Sequence, residues 1–302
     1  MGLGSQRFGE QVMRVEPRIG LIVVGFDSVS VWPAFFRSLE ESSVKPDIVI
    51  VVENSPSVPK IPQPIYSGAV TILHRPDNPG YGAAINWGAR DLPLEIDFIV
   101  ACNPDVVFAP DTLSTLLMEL GREDSAGIAG PRIMNSDGSL YPSARAFPGI
   151  RVGIGHALLG EIWKKNPWTK RYLGHYQGTS PRLVDWLSGA CLMLSREAFD
   201  SVDGFDEQYF MFVEDVDLCF RLKKSGWRSL YVPAAEIVHS GAHATGPIMK
   251  DMVKVHHASV EIFLARLYAG AHYWPLRQLL KVGLWLRSLI APLQHQYRRP
   301  RP

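Results

Sequence analysis

The chain has 302 residues, of which 46% are hydrophobic and 20% charged, a composition that excludes a disordered protein and predicts a sizeable buried core. The formal net charge is +1, and because seven basic residues and no acidic ones follow Glu261, the first 261 residues carry −6. A basic tail on a mildly acidic body indicates an anionic partner for the tail, either a membrane surface or nucleic acid.

The cysteine pattern and the apolar segments bear on the cellular compartment. Cys102, Cys191 and Cys219 are far apart, lie in apolar surroundings and form no CxxC pair, so we expect reduced core residues in a cytosolic protein. The N-terminus lacks the apolar region of a signal peptide, and no apolar run reaches the roughly 18 residues that span a bilayer.

Apolar, β-branched runs alternate with helix-like segments along the first half of the chain, after a flexible leader over residues 1–18. The predicted strands are Ile19–Val24, Asp47–Val52, Ala69–Leu73, Asp97–Cys102 and Ala126–Ala129. The predicted helices run from Asp27 or Ser28 to Glu40, over Gly82–Arg90 and over Ala109–Leu120. This alternation predicts an α/β fold with a mostly parallel sheet, helices on both faces, and ligands at the carboxyl ends of the strands.

The second half of the chain is less regular. Residues 136–182 are rich in glycine, proline and aromatic residues. The pattern then predicts a strand pair within Leu183–Leu194, a helix over Asp215–Lys224, a strand over Ser229–Val232 and helix from Met252 almost to the end. We therefore divide the chain into the leader, one domain over residues 19–250 and a basic helical extension over residues 251–302.

A carboxylate follows the fourth predicted strand, in the run Cys102-Asn103-Pro104-Asp105. Mg²⁺ or Mn²⁺ bound to a diphosphate needs only one or two protein carboxylates, since phosphate and water oxygens complete the shell. Asp105 is a candidate ligand, with Asn103 shaping the turn or contacting a ribose. An Asx-Pro turn that merely ends a strand is the structural alternative.

Three carboxylates within four residues, Glu214, Asp215 and Asp217, lie between apolar and aromatic neighbours. They could simply complement the N-terminus of a helix, which favours acidic residues in its first turn. The functional interpretation is a general base that takes the proton of an attacking hydroxyl, and the apolar flanks favour a raised pKa for it.

Two further motifs are compatible with phosphate binding. His239 and His243 flank a glycine after the last predicted strand, where a histidine can complete an oxygen-rich metal site or contact a phosphate, although a lone histidine can equally be structural. The run from Arg75 to Gly82 is a glycine-containing turn that enters a helix, and such turns let backbone N–H groups approach a diphosphate. Gly25-Phe26-Asp27 after the first strand is no GxGxxG fingerprint, which argues against NAD.

Taken in order, these motifs resemble the large family of inverting GT-A glycosyltransferases, and within it the rhamnosyltransferase-like branch. The resemblance covers roughly Ile19 to His243. It depends on several short runs in the same order: Gly25-Phe26-Asp27, Val52-Glu53-Asn54-Ser55, Asn78-Pro79-Gly80-Tyr81-Gly82 with Asn86 and Gly88, Asn103-Pro104-Asp105, Ser188-Gly189-Ala190, Gly204-Phe205-Asp206-Glu207, Glu214-Asp215-Val216-Asp217 and His239. It implies a GT-A fold, a nucleotide-sugar donor and a Mg²⁺ or Mn²⁺ cofactor.

The resemblance also implies roles for individual residues. Asp105 would bind the metal on the donor diphosphate, and His239 would support that metal or a phosphate. Asp215 would be the catalytic base, with Glu214 and Asp217 holding the acceptor or the geometry. Glu53 stands where members usually carry an aspartate facing the nucleobase. The donor-binding set implied is Gly25, Phe26, Asp27, Glu53, Asn54, Asn78, Gly80, Tyr81, Gly82, Asn86, Asn103 and Asp105. The acceptor-binding set implied is Trp186, Ser188, Gly189, Ala190, Glu214 and Asp217.

Finer similarity concerns the substrates. Asn103-Pro104-Asp105 and Arg145-Ala146-Phe147-Pro148 are similar to runs in bacterial rhamnosyltransferases that use dTDP-rhamnose, some of which act on polyprenyl-diphosphate-linked N-acetylglucosamine in cell-wall assembly. The basic tail fits a lipid-linked acceptor and a peripheral position on the inner face of the plasma membrane, with Trp274 and Trp285 suited to the interface. The same helix could instead pack on the protein's own core or form a homodimer, and no recognition motif supports nucleic acid.

The same motifs bear on three alternative functions. A galactofuranosyl or other hexosyl transferase using a UDP-sugar would carry the same motifs. A pyrophosphorylase would place a phosphate loop rich in glycine and basic residues after the first strand, which Gly25-Phe26-Asp27 does not resemble. A non-catalytic sugar-nucleotide-binding scaffold would not need the acids Asp105 and Asp215.

Overall fold

The computed structural model of the chain describes residues 16–57, 66–148, 178–241 and 249–283. Its first half is a set of parallel strands, β1 (Ile19–Gly25), β2 (Ile48–Glu53), β3 (Ala69–His74) and β4 (Phe98–Cys102). β1 lies between β2 and β4, and in register Gly25 pairs with Glu53 while Val23 pairs with Cys102. The three strands therefore end at nearly the same level, at one edge of the sheet.

The remaining strands extend this sheet in mixed orientation. They are β5 (Val106–Phe108), β6 (Ala126–Met134), β7 (Leu140–Tyr141), β8 (Ala144–Arg145), β9 (Arg182–Val184), β10 (Trp186–Leu187), β11 (Cys191–Ser195) and β12 (Arg228–His239). The main order is β3-β2-β1-β4-β11-β6-β12-β5, with β7 on β6 and β9 on β12. β11 is antiparallel to both β4 and β6, and β8 and β10 form a separate antiparallel pair.

Helices cover both faces of the sheet, as the sequence predicts. They are α1 (Trp32–Glu40), α2 (Tyr81–Arg90), α3 (Thr112–Arg122), α4 (Arg196–Ser201), α5 (Glu214–Lys224) and α6 (Met249–Leu267). Successive residues of β1 alternate between the two buried clusters, because side chains of a strand point to opposite faces. Leu21 packs with Trp32 of α1 and Leu113 of α3, and Ile22 lies in the cluster of Ile85 from α2 and Phe263 from α6.

Within the described residues the predicted strands and helices exist, and most differences lie at their ends. The helix predicted from Met252 onward is interrupted: it ends at Leu267 and helix resumes only after the 3₁₀ turn Ala271–Tyr273. α1 begins at Trp32 rather than at Asp27 or Ser28, because the Ser28 hydroxyl donates to the Phe26 carbonyl and Asp27 is left-handed (φ 52°). α3 begins at Thr112, later than predicted. The short strand β5 and helix α4 were not predicted.

β12 is much longer than the predicted strand Ser229–Val232. It continues through Pro233 because the ladder with β6 is irregular there: Val232 pairs with Pro131 and Glu236 pairs with Arg132. Residues 233–235 thus bulge out of the ladder, where a proline without an N–H is tolerated. The strand then resumes its alternation and ends at His239.

The three cysteines are buried and unpaired, as expected for reduced core residues.

Among the described helices none is both long and apolar enough to cross a membrane. The leader up to residue 15, the prolines from 59 to 64, His243 and the chain beyond residue 283 lie outside the described residues, so the predictions made for them stay predictions.

The C-terminal segment packs on the domain. Phe263 of α6 is buried and contacts the rings of Phe147 and Phe220. Arg266 pairs with Asp206 and Asp217, Arg277 donates to the carbonyls of Tyr268 and Gly270, and Lys281 pairs with Glu261. The basic side chains expected to face an anionic partner are therefore engaged within the chain wherever the structure describes them.

Candidate active site

The nucleotide end of the site is built from the ends of β1 and β2. Glu53 is fully buried, and its Oε1 accepts hydrogen bonds from the Ser55 backbone N–H (3.0 Å) and hydroxyl (2.6 Å). Its Oε2 is buried without a hydrogen-bond partner among the described residues. A Cβ on Gly25 would lie 2.6 Å from that oxygen, so the absence of a side chain at position 25 leaves room for the carboxylate. A buried carboxylate oxygen of this kind requires a donor, which a ligand can supply.

Loops around Glu53 gather other predicted donor-binding residues. The Asp27 N–H donates to the Ser55 hydroxyl (2.7 Å), and the Asn54 amide donates to Asn78 Oδ1 (3.3 Å). Asp27 and Asn78 are both left-handed, with φ of 52° and 42°. Non-glycine residues in this region are uncommon and tend to concentrate at functional sites.

Asp105 and His239 meet at the carboxyl end of β4. Asp105 Oδ1 lies 3.2 Å from His239 Nε2, and its Oδ2 accepts hydrogen bonds from the Ser240 hydroxyl and the Gly241 N–H. Asn103 Nδ2 lies 3.1 Å from the same histidine nitrogen. Burial raises the pKa of Asp105, but the hydrogen bonds and the His239 ring outweigh it and lower the pKa below its usual value, so the carboxylate stays ionised.

This corner fits a divalent cation that is shared with a ligand. Two neighbouring ligands of an octahedral ion, each about 2.1 Å from it, lie about 3.0 Å apart, close to the 3.2 Å between Asp105 and His239. No group of three or more His, Cys, Asp or Glu side chains suited to a metal occurs in the described part of the chain. The remaining ligands would therefore have to come from a substrate or from water.

The glycine-containing turn before α2 approaches a second segment very closely. Gly80 has φ 96°, and a Cβ there would lie 2.1 Å from the Phe210 carbonyl oxygen. The next N–H, of Tyr81, donates to that carbonyl (3.1 Å). The Tyr81 hydroxyl donates to the Gly189 carbonyl (2.9 Å), so the turn is joined to the loop between β10 and β11.

Glu214 and Asp215 open α5 beside this loop. Asp215 is half-buried, and it accepts hydrogen bonds from the N–H groups of Gly189 (2.8 Å) and Val216 (2.8 Å). Burial raises the pKa of Asp215, although these hydrogen bonds and the charge of Arg145 oppose the shift. Glu214 is buried, and its Oε2 has no hydrogen-bond partner among the described residues. Burial, together with the Asp215 charge, raises the pKa of Glu214 well above its ordinary value.

Three of the predicted site residues make internal hydrogen bonds or ion pairs in the structure. Asn86 faces inward from α2, and its amide exchanges hydrogen bonds with both the N–H and the carbonyl of Phe205. Asp217 is fully buried against Arg221 and Arg266. The indole of Trp186 donates to the Ala146 carbonyl. Helical and strand periodicity turns each of these side chains toward the core, so their polar atoms are already satisfied.

The loop between β10 and β11 carries the other predicted acceptor residues. The Ser188 N–H donates to the Ser143 carbonyl, and the Ala190 carbonyl accepts from the Asn103 N–H. A Cβ on Gly189 would lie 3.2 Å from the Asp215 side chain. This loop thus joins the Asp105 corner to the carboxylates of α5.

Arg145 belongs to one of the sequence motifs but has no role assigned from the sequence, and the structure brings it to the site. Its guanidinium lies 5.0 Å from the Trp186 ring centroid and 5.4 Å from that of Tyr141, and its charge acts on Asp215.

Sequence reasoning also misses Phe212 and Val213: both are left-handed, with φ of 68° and 67°. No sequence signal marks them, since neither residue type favours that conformation.

The fold and site define a glycosyltransferase with the GT-A architecture: strand ends that collect a buried carboxylate, an aspartate–histidine corner and a carboxylate pair at a helix start. Residues 17–258 match the model of the glycosyltransferase-like family 2. The chain belongs to that family and is a glycosyltransferase.

Two similar curated proteins are rhamnosyltransferases. The chain is 41% identical over 265 residues to the N-acetylglucosaminyl-diphospho-decaprenol L-rhamnosyltransferase of Mycobacterium tuberculosis, covering 84% of this chain and 86% of that protein. It is 31% identical over 175 residues to the rhamnosyltransferase WbbL of Escherichia coli, covering 58% of this chain and 64% of that protein.

Solved structures support the fold assignment. The mannosyltransferase PcManGT of Pyrobaculum calidifontis, in complex with GDP-Man and Mn²⁺, superposes with a TM-score of 0.56 at 14% identity, over 96% of this chain and 78% of that one. GalNAc-T7 with UDP, GalNAc and Mn²⁺ gives a TM-score of 0.54 at 13% identity, over 93% and 58% of the two chains. At these identities the likeness concerns the fold.

The raised pKa of Glu214 makes stability depend on pH. Above the ordinary glutamate pKa of about 4.3, the folded chain holds a proton on Glu214 that the unfolded chain has lost, so this group lowers stability as the pH rises toward the folded pKa. We expect Glu214→Gln to remove this loss of stability, which reaches up to about 1.4 kcal/mol for each pH unit within that interval. In urea unfolding from pH 5 to 8, the free energy of unfolding of Glu214→Gln should rise relative to that of the wild type as the pH rises.

Glu41→Gln, at an exposed position beyond α1, is the matched control and should show no such trend. A stability difference between Glu214→Gln and wild type that stays constant with pH would contradict the assignment.

Proposed function

We propose that the chain transfers L-rhamnose from dTDP-rhamnose to a hydroxyl of polyprenyl-diphosphate-linked N-acetylglucosamine, with inversion and with the help of Mg²⁺ or Mn²⁺. The observation that carries this proposal is that one loop joins the Asp105–His239 corner to the half-buried Asp215: the Gly189 N–H donates to Asp215, and the Ala190 carbonyl accepts from the Asn103 N–H. The choice of sugar and acceptor is supported by the 41% identity to a relative whose name specifies L-rhamnose and a lipid-linked N-acetylglucosamine.

The donor would bind across the ends of β1, β2 and β4. Asp105 and His239 would hold the cation, which supplies positive charge where the leaving diphosphate gains negative charge. The buried Oε2 of Glu53 would accept a hydrogen bond from the imide N–H of a pyrimidine base. The longer glutamate side chain is accommodated because position 25 is glycine.

Asp215 would remove the proton of the acceptor hydroxyl as the oxygen attacks the anomeric carbon from the face opposite the leaving group. Its position at the helix start is fixed by the Gly189 N–H, and its raised pKa makes it a stronger base than an ordinary aspartate. Glu214 would remain protonated beside it, since two buried neighbouring carboxyls do not both ionise readily.

The acceptor's lipid would bring the protein to the inner face of the plasma membrane. Residues 274–283 are helical and follow a short 3₁₀ turn, Ala271–Tyr273. They expose large apolar side chains, namely Trp274 (59% exposed), Leu279 (68%) and Val282 (52%). An exposed apolar helix with an interfacial tryptophan is typical of membrane-surface contact. A homodimer through the same helix is the competing proposal, which sedimentation equilibrium without lipid would reveal.

Ligand-induced thermal stabilisation tests the donor and the metal. We expect dTDP-rhamnose with Mn²⁺ or Mg²⁺ to raise Tm, by mass action, and we expect the rise to shrink strongly in Asp105→Asn, which keeps the side chain's size but loses its charge. A comparable rise in Tm with a UDP-sugar, and none with dTDP-rhamnose, would be consistent with a glycosyltransferase but would refute dTDP-rhamnose as the donor. No rise with any nucleotide sugar would contradict the proposal and favour a scaffold.

The base assignment is tested by Asp215→Asn. We expect kcat to fall roughly 10²- to 10⁴-fold while the nucleotide-dependent rise in Tm is kept. In the wild type, kcat should fall as the pH drops through a value above the ordinary aspartate pKa, because burial raises the pKa of Asp215. Near-wild-type turnover by a folded, donor-binding Asp215→Asn variant would refute the role.

Vesicle sedimentation tests the membrane contact. We expect Leu279→Gln to lower the vesicle-bound fraction several-fold, since burying one leucine contributes about 1.5–3 kcal/mol. Leu94→Gln is the matched control, because Leu94 is an 87% exposed leucine in the loop before β4, outside residues 274–283. Equal binding by the two variants and the wild type would argue against residues 274–283 as the contact.

A further inference from the structure

The two residues before the carboxylate pair have an unusual backbone. Phe212 and Val213 are consecutive non-glycine residues in the left-handed region, and a β-branched valine is a clear outlier there. α5 starts directly after them, and its first turn is closed by the Asp217 N–H donating to the Val213 carbonyl (2.9 Å). The direction in which Glu214 and Asp215 leave the backbone therefore depends on this strained pair. Such a conformation persists only where its surroundings fix it.

One side of the segment is fixed by the donor turn. The Phe210 carbonyl accepts the Tyr81 N–H, and Gly80 allows the two chains to approach closely. Phe210 lies two residues before Phe212, so this contact does not by itself determine the left-handed pair.

The other side is fixed by α6. The Ser259 hydroxyl, which is buried, donates to the Met211 carbonyl (2.8 Å), and the His256 ring lies edge-on against Phe212 (5.6 Å between centroids). One further contact reaches α5 itself: Arg266 donates to Asp217 (2.5 Å) and to Asp206 (2.5 Å). Because Asp217 is fully buried, its charge requires this guanidinium and that of Arg221.

We propose that α6 is part of the catalytic apparatus, with Ser259 and Arg266 as positioning residues that hold Phe212 and Val213 and thereby aim Asp215 at the acceptor. The match to the family model ends at residue 258, so both residues lie just beyond it. The inference rests on the proposed role of Asp215 as base. It extends the active site into a segment that the sequence indicated only as a membrane-associating or oligomerising extension.

The test is Ser259→Ala, with Ser201→Ala as the matched control. Ser201 makes the same kind of bond, from its hydroxyl to the Ala198 carbonyl (2.7 Å), within α4. We expect Ser259→Ala to lower kcat about tenfold or more while KM for the nucleotide sugar stays within about twofold, because small displacements of a reacting group reduce rate far more than binding. Ser201→Ala should keep the wild-type kcat. Arg266→Lys keeps the charge but has one terminal nitrogen in place of the two that separately reach Asp217 and Asp206, so it should reproduce the loss.

A second readout needs no substrate. Amide hydrogen exchange in a peptide spanning residues 210–217 should become faster in Ser259→Ala and stay unchanged in Ser201→Ala, while exchange in α2 stays the same in both. Unchanged exchange at 210–217, or a kcat equal to that of Ser201→Ala, would overturn the inference. Failure of the wild type to use dTDP-rhamnose would count against the proposed donor only, because the exchange experiment does not depend on it.

Discussion

The structure depends on the register of three parallel strands. β1, β2 and β4 end at one level, so Glu53 at the end of β2 and Asn103 just after β4 lie at the same edge of the sheet. The edge collects polar groups because the strands themselves are buried on both faces and can carry almost none. Chemistry that needs a carboxylate, a cation and a nucleotide in one place is therefore confined to the loops after these strands.

The opposite wall of the site is assembled by long-range contacts. β11 runs antiparallel to β4, which brings the loop at Gly189 beside the end of β4, and that loop touches both Tyr81 and Asp215. One backbone unit thus links the donor turn to the carboxylate of α5. Position along the chain gives no hint of this, because the partners are separated by 26 and 108 residues.

The sequence predicted the alternation of strands and helices from buried runs, and a proline turn and an acidic cluster marked Asp105 and the carboxylates of α5 as candidate site residues. The association of Asp105 with His239 was implied by the family resemblance. The acidic cluster alone does not separate Asp215 from Asp217, and only the family resemblance named Asp215 as the base. Residues two positions apart on a helix lie on opposite sides, and tertiary packing decides which side faces the core. The sequence also could not locate the partners of Arg266, Arg277 and Lys281. In the sequence these three side chains have no visible partners. In the structure each is paired through contacts that form only on folding.

The bulge in β12 acts as a spacer of fixed length. Residues 233–235 leave the ladder between Val232 and Glu236, and the strand beyond them alternates Ile237 inward, Val238 outward and His239 toward Asp105. Adding or deleting one residue here would exchange His239 with Val238 across the sheet. Surface loops ordinarily tolerate changes in length during evolution. This short stretch should instead be as intolerant of insertions as the core, because its length sets the position of the His239 imidazole.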